Sequence, residues 1–390
     1  MKFAILNTDY PDFLHWLYAE HVGLENQPYD GQMRVRNESL FGVADFYSSN
    51  LRKLGHEAWD IHANNEFMQM AWAKEYGIHL KDFTSPNRSG REALLGAMEK
   101  KPLEYLKTLF RRKRRPKRRK QSWFYDVLAA QIRHHRPDVL LSQDMFLSCQ
   151  FFKEIKSQVR LLVGQHAATH LPNSEDFSCY DLLISSFPPT VDYFRKKGIP
   201  AELNRMGFEP RVLSYLEDRE RNFEVTFIGS FNSVHSSRIA WLESLCVRLP
   251  NIKIWAPKID RLPETSPVRK SYIGQTWGRQ MYQILDNSRI TLNHHGDIPP
   301  YANNMRLFEA TGVGTLLITD WKVNLHEMFE PGKEVVAYRS PEECVELITY
   351  YLQHDREREA IARAGQERTL RQHTYNCRMQ ELVDIVRKCL

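Results

Sequence analysis

Cysteine is scarce in this 390-residue sequence: there are six, scattered along the chain. None of them belongs to a C-x-x-C pair, so the sequence predicts neither a zinc site nor a disulfide framework. A reducing, cytoplasmic location is the natural expectation for such a chain. Long apolar runs are lacking too, because no stretch approaches 18 apolar residues, and this argues against a transmembrane helix. The opening MKFAILNTDY is typical of a buried first strand and not of a signal peptide.

Positive charge is concentrated in one segment, RRKRRPKRRK at 111–120, which holds nine basic residues around Pro116. The formal net charge of the whole chain is +6, so the remainder carries +6 − 9 = −3. The basic character is therefore local. Because Pro116 interrupts any helix and like charges repel, we expect an exposed loop. Two interpretations stay open: a solvated loop, and attachment to an anionic membrane surface, where each basic residue contributes about 1 kcal/mol.

The composition and the length of the chain limit the possible architectures. Apolar residues make up 42% of the chain and aromatic residues 12%, which excludes a disordered protein. A length of 390 residues exceeds one ordinary core and favours two domains. Short apolar runs alternate with helical patterns, which indicates βα units and parallel sheets. The predicted strands are KFAILN, HEAWDIHA, DVLLSQD, VRLLVGQH and DLLISSF, followed by EVTFIGS, NIKIWAP, RITLNHHG, TLLITD and EVVAYRS.

The sequence therefore predicts an α/β protein with two doubly wound, parallel-sheet (Rossmann-like) domains that face each other across a cleft. The N-terminal domain is predicted over 1–208 and the polar linker over 209–222. The second domain is predicted over 223–370. A C-terminal helix over 371–390 is expected to pack back toward the first domain. Helices are predicted at 11–20, 36–54 and 236–249, and in a long tail from 341.

The most informative segment is YANNMRLFEATGVGTLLITD, residues 301–320. Arg306 and Glu309 are three residues apart and so share one face of the predicted helix. A carboxylate can accept both hydroxyl protons of a ribose, and the planar fork of a guanidinium suits a diphosphate. The alternative is an ordinary ion pair between helical neighbours.

A series of further motifs lies in order between about 159 and 385: VGQHAATH, VTFIGS, NNMRLFEATGVGTLLITD and EMFEPGKEVVAY. In this order and spacing the chain resembles the GT-B glycosyltransferases, specifically the retaining group-1-like superfamily and its spore-maturation, CgeB-type branch. By this resemblance Glu309 is the glutamate that holds the nucleotide ribose. His166 corresponds to the strand-end histidine that contacts the donor sugar or the reacting centre. Tyr301 stands where the family often has a second, sugar-contacting glutamate.

The remaining candidates follow predicted strands and so are expected at the cleft. Gly229 would let backbone N–H groups approach a phosphate, or belong to an ordinary turn. Asp9 would orient an acceptor, or cap the helix that begins at Pro11. The predicted donor-binding residues are Glu309, Arg306, Gly229, Ser230, Lys258, Asn304, His294 and Tyr301, and the predicted catalytic residues are His166 and Asp9. Of His294 and His295, only one can face the ligand, because neighbours along a strand point to opposite faces.

The predicted function is transfer of a sugar from a nucleotide-diphosphate donor, by default a UDP-sugar, to an acceptor that the sequence does not identify. No strand-end Asp-x-Asp motif is evident, so metal-independent chemistry without a further cofactor is expected; the resemblance implies retention of configuration. Two alternatives are a nucleotide-sugar epimerase of the same fold and a protein that binds nucleic acid through 111–120. Nucleic acid is disfavoured because the run contains no interleaved aromatic residue. The location expected is cytoplasmic, with peripheral attachment to the membrane if the basic run binds lipid.

Overall fold

The computed structural model describes residues 1–78, 122–143, 145, 147–166, 176–217, 220–231, 236–295 and 300–390. The basic run 111–120 lies outside these residues. Within them, two six-stranded sheets are present, and every strand pair is parallel. The predicted fold class is thereby confirmed. None of the described helices is both long and apolar enough to cross a membrane.

The first sheet has the strand order β2-β1-β3-β4-β5-β6. Its strands are β1 (Lys2–Asn7), β2 (Glu57–His62), β3 (Val139–Ser142), β4 (Leu161–Gln165), β5 (Leu182–Ser185) and β6 (Ala201–Leu203). Its described helices are α1 (Pro11–Glu20), α2 (Tyr29–Glu38), α3 (Phe46–Lys53), α4 (Glu66–Glu75), α5 (Ser122–His135), α6 (Cys149–Ile155) and α7 (Pro188–Lys196). The apolar runs that predicted the first five strands form the buried centre of this sheet, because strands covered on both faces must be apolar throughout.

The second sheet has the order β12-β11-β10-β7-β8-β9. Its strands are β7 (Phe223–Ile228), β8 (Ile252–Trp255), β9 (Tyr272–Gly274), β10 (Ser288–Asn293), β11 (Leu316–Asp320) and β12 (Val336–Tyr338). Its described helices are α8 (Ser236–Arg248), α9 (Val268–Ser271), α10 (Gly278–Asp286), α11 (Arg306–Gly312), α12 (Pro341–Gln353), α13 (Asp355–Gln372) and α14 (Tyr375–Arg387). Between β11 and β12 the chain forms a 3₁₀ turn at Leu325–Glu327.

One apolar cluster runs through both halves of the molecule. It includes Ile5 of β1, Phe208 between the sheets and Leu307 of α11, each at most 1% exposed. Complete burial of each such side chain contributes about 1.5–3 kcal/mol to folding. Helix α14 closes this cluster: Tyr375 packs on Phe46 of α3, with ring centroids 5.2 Å apart. The chain's last helix therefore contacts the layer of the first sheet. The domain boundaries drawn from the sequence stay a prediction.

The cysteine prediction was wrong, because Cys149 and Cys179 form a disulfide with Cα atoms 5.6 Å apart. This Cα distance is in the range that a disulfide requires. Cys149 begins α6 and Cys179 precedes β5, so the two meet only when β4 and β5 pair. A sequence separation of 30 residues carries no signal of that pairing.

The helix predicted over 36–54 is also wrong in its middle. It is divided between α2 and α3, and Leu40, Gly42 and Ala44 in the intervening segment have positive φ angles. This segment contacts the second sheet's layer: the Arg279 N–H donates to the Ser39 carbonyl over 2.9 Å. The Phe41 ring lies 4.8 Å from the ring of Trp277. Contact between the two halves therefore overrides the local helical pattern.

The close approach at Ser39 predicts a large cost for Gly278→Ala. Gly278 has a φ of +51°, and a Cβ placed there would overlap the Ser39 carbonyl oxygen. Gly332→Ala is the matched control, since its φ is +86° but nothing lies within 4 Å of the added Cβ. We expect Gly332→Ala to lower the free energy of unfolding by about 1–2 kcal/mol through backbone strain alone. Gly278→Ala should lower the free energy of unfolding, measured in urea, by clearly more than this. An equal loss for the two variants would contradict the close approach of Gly278 to Ser39.

Candidate active site

The carboxyl ends of both sheets carry polar side chains, as expected for ligand-binding parallel sheets. In the first sheet these ends are followed by His166 after β4 and Ser186 after β5, both largely buried. In the second sheet Asn293 ends β10 and Asp320 ends β11. These strand ends delimit the candidate site.

Arg306 and Glu309 form an ion pair on α11. The Arg306 Nη1 lies 3.0 Å from the Glu309 Oε2, and the two side chains are 12% and 8% exposed. Burial raises the pKa of Glu309, and the neighbouring guanidinium opposes that rise. Arg306 also donates to the Ile228 carbonyl at the end of β7, over 3.4 Å. The pair predicted from sequence spacing is therefore sheltered and fixed against the first strand of the second sheet.

Gly229 and Ser230 follow β7 directly. A Cβ at Gly229 would lie 2.8 Å from the ring of Phe227, so glycine is required here by close packing. The Ser230 carbonyl accepts a hydrogen bond from Arg238 Nη1 over 3.0 Å, and the same guanidinium donates to the His294 carbonyl over 2.6 Å. Arg238 thus ties the loop after β7 to the loop after β10.

His294 is stacked against Trp241, with ring centroids 5.0 Å apart and planes 14° apart. Its Nδ1 is 3.0 Å from the hydroxyl oxygen of Tyr338. Burial lowers the pKa of His294 to about 4, although the negative charge of Asp320 acts in the opposite direction. The imidazole is therefore neutral near pH 7.

His295 makes a tighter contact with Asp320 than His294 does. Its Nδ1 is 2.6 Å from the Asp320 Oδ1, and Lys322 Nζ lies 3.1 Å from the other carboxylate oxygen. Burial alone would raise the pKa of Asp320, but His295 and Lys322 hold that pKa well below its usual range. The buried Nε2 of His295 has no hydrogen-bond partner in the described part of the chain. A fixed carboxylate and an oriented imidazole thus lie at the end of β11.

The polar side chains at the ends of β10 and β11 form a polar layer, and Asn304 joins this layer to α11. Its Nδ2 donates to the Asn293 Oδ1 over 2.7 Å, and Asn293 in turn donates to the Thr319 hydroxyl over 2.9 Å. The Asn304 Oδ1 accepts from the Leu307 N–H over 3.4 Å. Asn304 therefore positions the start of α11 relative to the ends of β10 and β11.

Tyr301 and His166 lie toward the first sheet. The Tyr301 ring centroid is 5.9 Å from that of Phe187, which follows β5. The His166 N–H donates to the Ile184 carbonyl over 3.0 Å, and its ring lies edge-on to Phe194. Since β4 and β5 are neighbours, Tyr301 reaches the strand ends beside His166.

Asp9 does not face the cleft. Its carboxylate is 1% exposed and pairs with Arg36 and with His62, whose Nδ1 is 3.2 Å away. Burial alone would raise the pKa of Asp9, but Arg36 and His62 hold that pKa well below its usual range. Asp9 does not cap α1 either, because the N-cap residue is Tyr10. The carboxylate is enclosed as a structural ion pair.

Lys258 lies at the edge of the site and not among the other candidates. Its Nζ is 2.6 Å from the Asp12 Oδ1 on α1, and both side chains are partly exposed. Helix α1 makes a second such contact, since Trp277 packs edge-on against Phe13 with ring centroids 6.0 Å apart. Both contacts join the two halves of the molecule. Lys258 is therefore a link across the cleft in this structure.

Part of the second half matches a known family. Residues 238–384 match the model of a family described as glycosyl transferase-like. This segment contains α11 and the ends of β10 and β11, and therefore most of the polar layer described above. No curated protein matches the chain.

Solved structures resemble the whole chain. A glycosyltransferase from Rickettsia africae is 12% identical, covering 100% of this chain and 98% of its own, with a TM-score of 0.57. HepE (Alr3699) from Anabaena, in complex with UDP-glucose, is 10% identical, covers 100% of both chains and has a TM-score of 0.58. A sucrose-phosphate synthase from Thermosynechococcus elongatus is 11% identical, covering 100% of this chain and 99% of its own, with a TM-score of 0.57.

The chain has the GT-B fold. The GT-B fold that the resemblance implied is thereby confirmed, and residues 238–384 are similar to a glycosyl transferase-like family, whereas the CgeB-type branch stays a prediction. Within the GT-B cleft, the structure groups Arg306, Glu309 and Asn304 with the loops that carry Gly229, Ser230 and His294. Tyr301 extends toward the side of His166. Their roles in binding and catalysis stay predictions.

The sequence reasoning left some residues of the GT-B cleft out of the candidate list. These are Asp320, Lys322, Asn293 and His295. Asp320 closes the predicted strand TLLITD, so its position at a strand end was a usable signal. Nothing in the sequence pairs it with His295, because 25 residues separate them. Among the described residues, no group of three His, Cys, Asp or Glu side chains is arranged to hold a metal ion; metal independence stays a prediction.

The pKa of His294 predicts a pH-dependent contribution to stability. Below pH 6.5 the unfolded chain takes up a proton at this residue, whereas the folded chain does so only near pH 4. Protonation therefore favours the unfolded state, and His294 lowers stability as the pH falls from 6.5 to 4. His294→Phe keeps a ring on Trp241 but cannot titrate. Between pH 7 and 4 the free energy of unfolding should fall by less in this variant than in the wild type, and the difference should reach about 3 kcal/mol. If urea unfolding gave the same pH dependence for both proteins, this assignment would be contradicted.

Proposed function

We propose that the protein is a glycosyltransferase that moves a sugar from a nucleoside-diphosphate donor to an acceptor bound at the opposite side of the cleft. The observation that carries the proposal is the sheltered Arg306–Glu309 pair at the end of β7, inside the segment that matches the glycosyl transferase-like family. A carboxylate and a guanidinium at one strand end supply the two chemistries that a ribose diphosphate requires.

Donor binding is proposed to use the second half of the cleft. Glu309 would accept hydrogen bonds from the ribose hydroxyls, and Arg306 would donate to the diphosphate. The backbone after β7 and the polar layer of Asn293 and Asn304 would contact the diphosphate and the sugar. Because HepE was solved with UDP-glucose, UDP-glucose is the first donor to test.

The proposed reaction exchanges one bond for another at the anomeric carbon. The bond from that carbon to the β-phosphate oxygen breaks, and a bond to an acceptor hydroxyl oxygen forms. The acceptor's proton is transferred to the departing phosphate, so charge and atoms balance. Fixed hydrogen-bond donors stabilise the charge that develops on the leaving group, which is where electrostatic catalysis is largest. His166 would contact the sugar from the first half; retention of configuration and metal independence belong to the same proposal.

Water exclusion is a further requirement, because hydrolysis of the donor competes with transfer. The contacts of Lys258 with Asp12 and of Trp277 with Phe13 already join the two halves at one end of the cleft. We assign them this role in holding the cleft closed. Asp9 is left out of the proposed catalytic residues because its carboxylate is enclosed.

The donor site predicts that a nucleoside diphosphate raises the thermal stability of the protein. UDP at about 100 times its Kd should add about 2.7 kcal/mol, which is a rise of several degrees in Tm. Glu309→Gln should abolish most of this shift in Tm. The neutral amide lacks the negative charge that strengthens the hydrogen bonds a carboxylate accepts from the two ribose hydroxyls. The measurement is a thermal-shift series with UDP, GDP, ADP and UDP-glucose.

Glu346→Ala, an exposed glutamate on α12, is the control and should keep the full shift. Circular dichroism of the ligand-free Glu309→Gln variant separates loss of binding from loss of folding. The donor proposal would be overturned if no nucleotide shifted the Tm, or if folded Glu309→Gln responded like the wild type.

Product analysis distinguishes the transferase from the epimerase alternative. With UDP-glucose and a mixed pool of glycan acceptors, we expect UDP and a glucosylated acceptor in equal amounts. An epimerised sugar released without any acceptor would instead support the epimerase. Mass spectrometry of the acceptor pool and chromatography of the nucleotides measure both outcomes.

A further inference from the structure

A second cavity, of about 520 Å³, lies on the first half of the molecule and away from the cleft. It is lined by β2, the edge strand of the first sheet, and by parts of α2, α4 and α5. Lys2 and Glu57 belong to its wall, and these are the paired first residues of β1 and β2. The lining extends along β2 as far as Asp60, two residues before the carboxyl end of that strand, and none of the described lining residues is a proposed donor-binding residue. The cavity is therefore separate from the proposed donor site.

Aromatic rings form much of the wall. Trp59 stacks on His135 with centroids 4.7 Å apart, and Tyr76 stacks on Trp72 with centroids 4.3 Å apart. His134 meets the Tyr76 ring edge-on at 4.7 Å. Stacking fixes the planes of these rings, and Tyr76 remains 48% exposed. The cavity thus offers rigid, flat apolar surface that is accessible to a ligand.

The polar groups of the wall are nearly balanced in charge. Lys2 and Arg52 are cationic, and Asp30 and Glu57 are anionic. Burial raises the pKa of a further carboxyl group of the wall, Asp60, to about 7 despite its hydrogen bond with Ser48. A wall with this balance does not select a strongly anionic ligand, such as a nucleotide, or a strongly cationic one.

One polar atom of the wall lacks a partner. The Oδ1 of Asn37 is buried and accepts no hydrogen bond from any described residue. An unsatisfied buried acceptor costs about 1–3 kcal/mol, and a ligand hydroxyl would remove that cost. Asp60 also lines this cavity, and its Oδ2 already accepts a hydrogen bond from the Ser48 hydroxyl.

We propose that this cavity binds a neutral saccharide of one or two sugar rings, stacked on Tyr76 and Trp59 and hydrogen-bonded to Asn37 and Asp60. A sugar ring combines an apolar C–H face with a rim of hydroxyls, which matches flat rings beside amide and carboxyl groups. The volume of about 520 Å³ is within the usual range for small-ligand sites. The inference rests on the cavity alone and goes beyond the proposed transfer reaction.

Saturation-transfer NMR on the full-length protein tests the proposal, with methyl α-glucoside, N-acetylglucosamine, maltose and cellobiose as probes. At least one probe should bind, and Tyr76→Ala should weaken that binding at least tenfold. Tyr350→Ala is the matched control, because Tyr350 is 42% exposed and lies on α12, outside the cavity. Binding of the same probe should persist in the presence of saturating UDP.

Asn37→Leu distinguishes a role in binding from a role in folding. It removes an unsatisfied acceptor, so the free energy of unfolding should stay equal or rise while saccharide binding weakens. The proposal would be overturned if no probe bound, if Tyr76→Ala bound as well as the wild type, or if UDP displaced the saccharide. It would equally be overturned if glucose 1-phosphate bound more tightly than methyl α-glucoside, since the wall would then favour an anion. A thermal shift with UDP reports on the donor site separately, so the two proposals fail independently.

Discussion

Backbone pairing between Phe208 and the segment before α14 holds the two sheets in place. The Phe208 N–H donates to the His373 carbonyl over 2.8 Å, and the Tyr375 N–H donates to the Phe208 carbonyl over 2.9 Å. Tyr375 then packs between Phe46 and Tyr47 on the first half. On the other side, a Cβ at Gly312 would overlap the Phe208 ring, so the end of α11 rests directly on this junction. The helix that carries Arg306 and Glu309 is thus positioned by the same residues that join the sheets.

Much of the fold could be predicted because its information is local. Parallel strands buried on both faces are continuous apolar runs, and each of the ten predicted strands overlaps an observed strand. The three-residue strand β6 is too short to leave such a run. The segment 39–45 was misread for another reason. Its conformation depends on Gly278 and Trp277, more than 230 residues away along the chain, and no local pattern records that contact.

The candidate site shows the same difference between local features, which could be predicted, and contacts between distant segments, which could not. The spacing of Arg306 and Glu309 is a property of one helix, and the pair exists as predicted. Asp9 was placed at the cleft because it follows a strand, but its burial depends on Arg36 and His62, which approach from two other elements. The association of Asp320 with His295 and the Cys149–Cys179 bond likewise require strands to pair first. Sequence spacing therefore finds groups within one element and misses groups assembled between elements.

The charges of the cleft impose a condition on the proposed donor binding. Each cation of the described cleft already has an acceptor: Arg306 pairs with Glu309, Lys322 with Asp320, Lys258 with Asp12, and Arg238 donates to two carbonyls. A diphosphate can gain Arg306 as a partner by replacing its contact with Glu309, or through the Arg306 Nε, which has no hydrogen-bond partner among the described residues. The Arg306–Glu309 pair is suited to such an exchange, because a nucleotide supplies a phosphate for the guanidinium and hydroxyls for the carboxylate together. Both partners then stay satisfied in the bound state, and neither buried charge is left unpaired. A free phosphate would satisfy only Arg306, so the pair itself favours a whole nucleotide over its diphosphate alone.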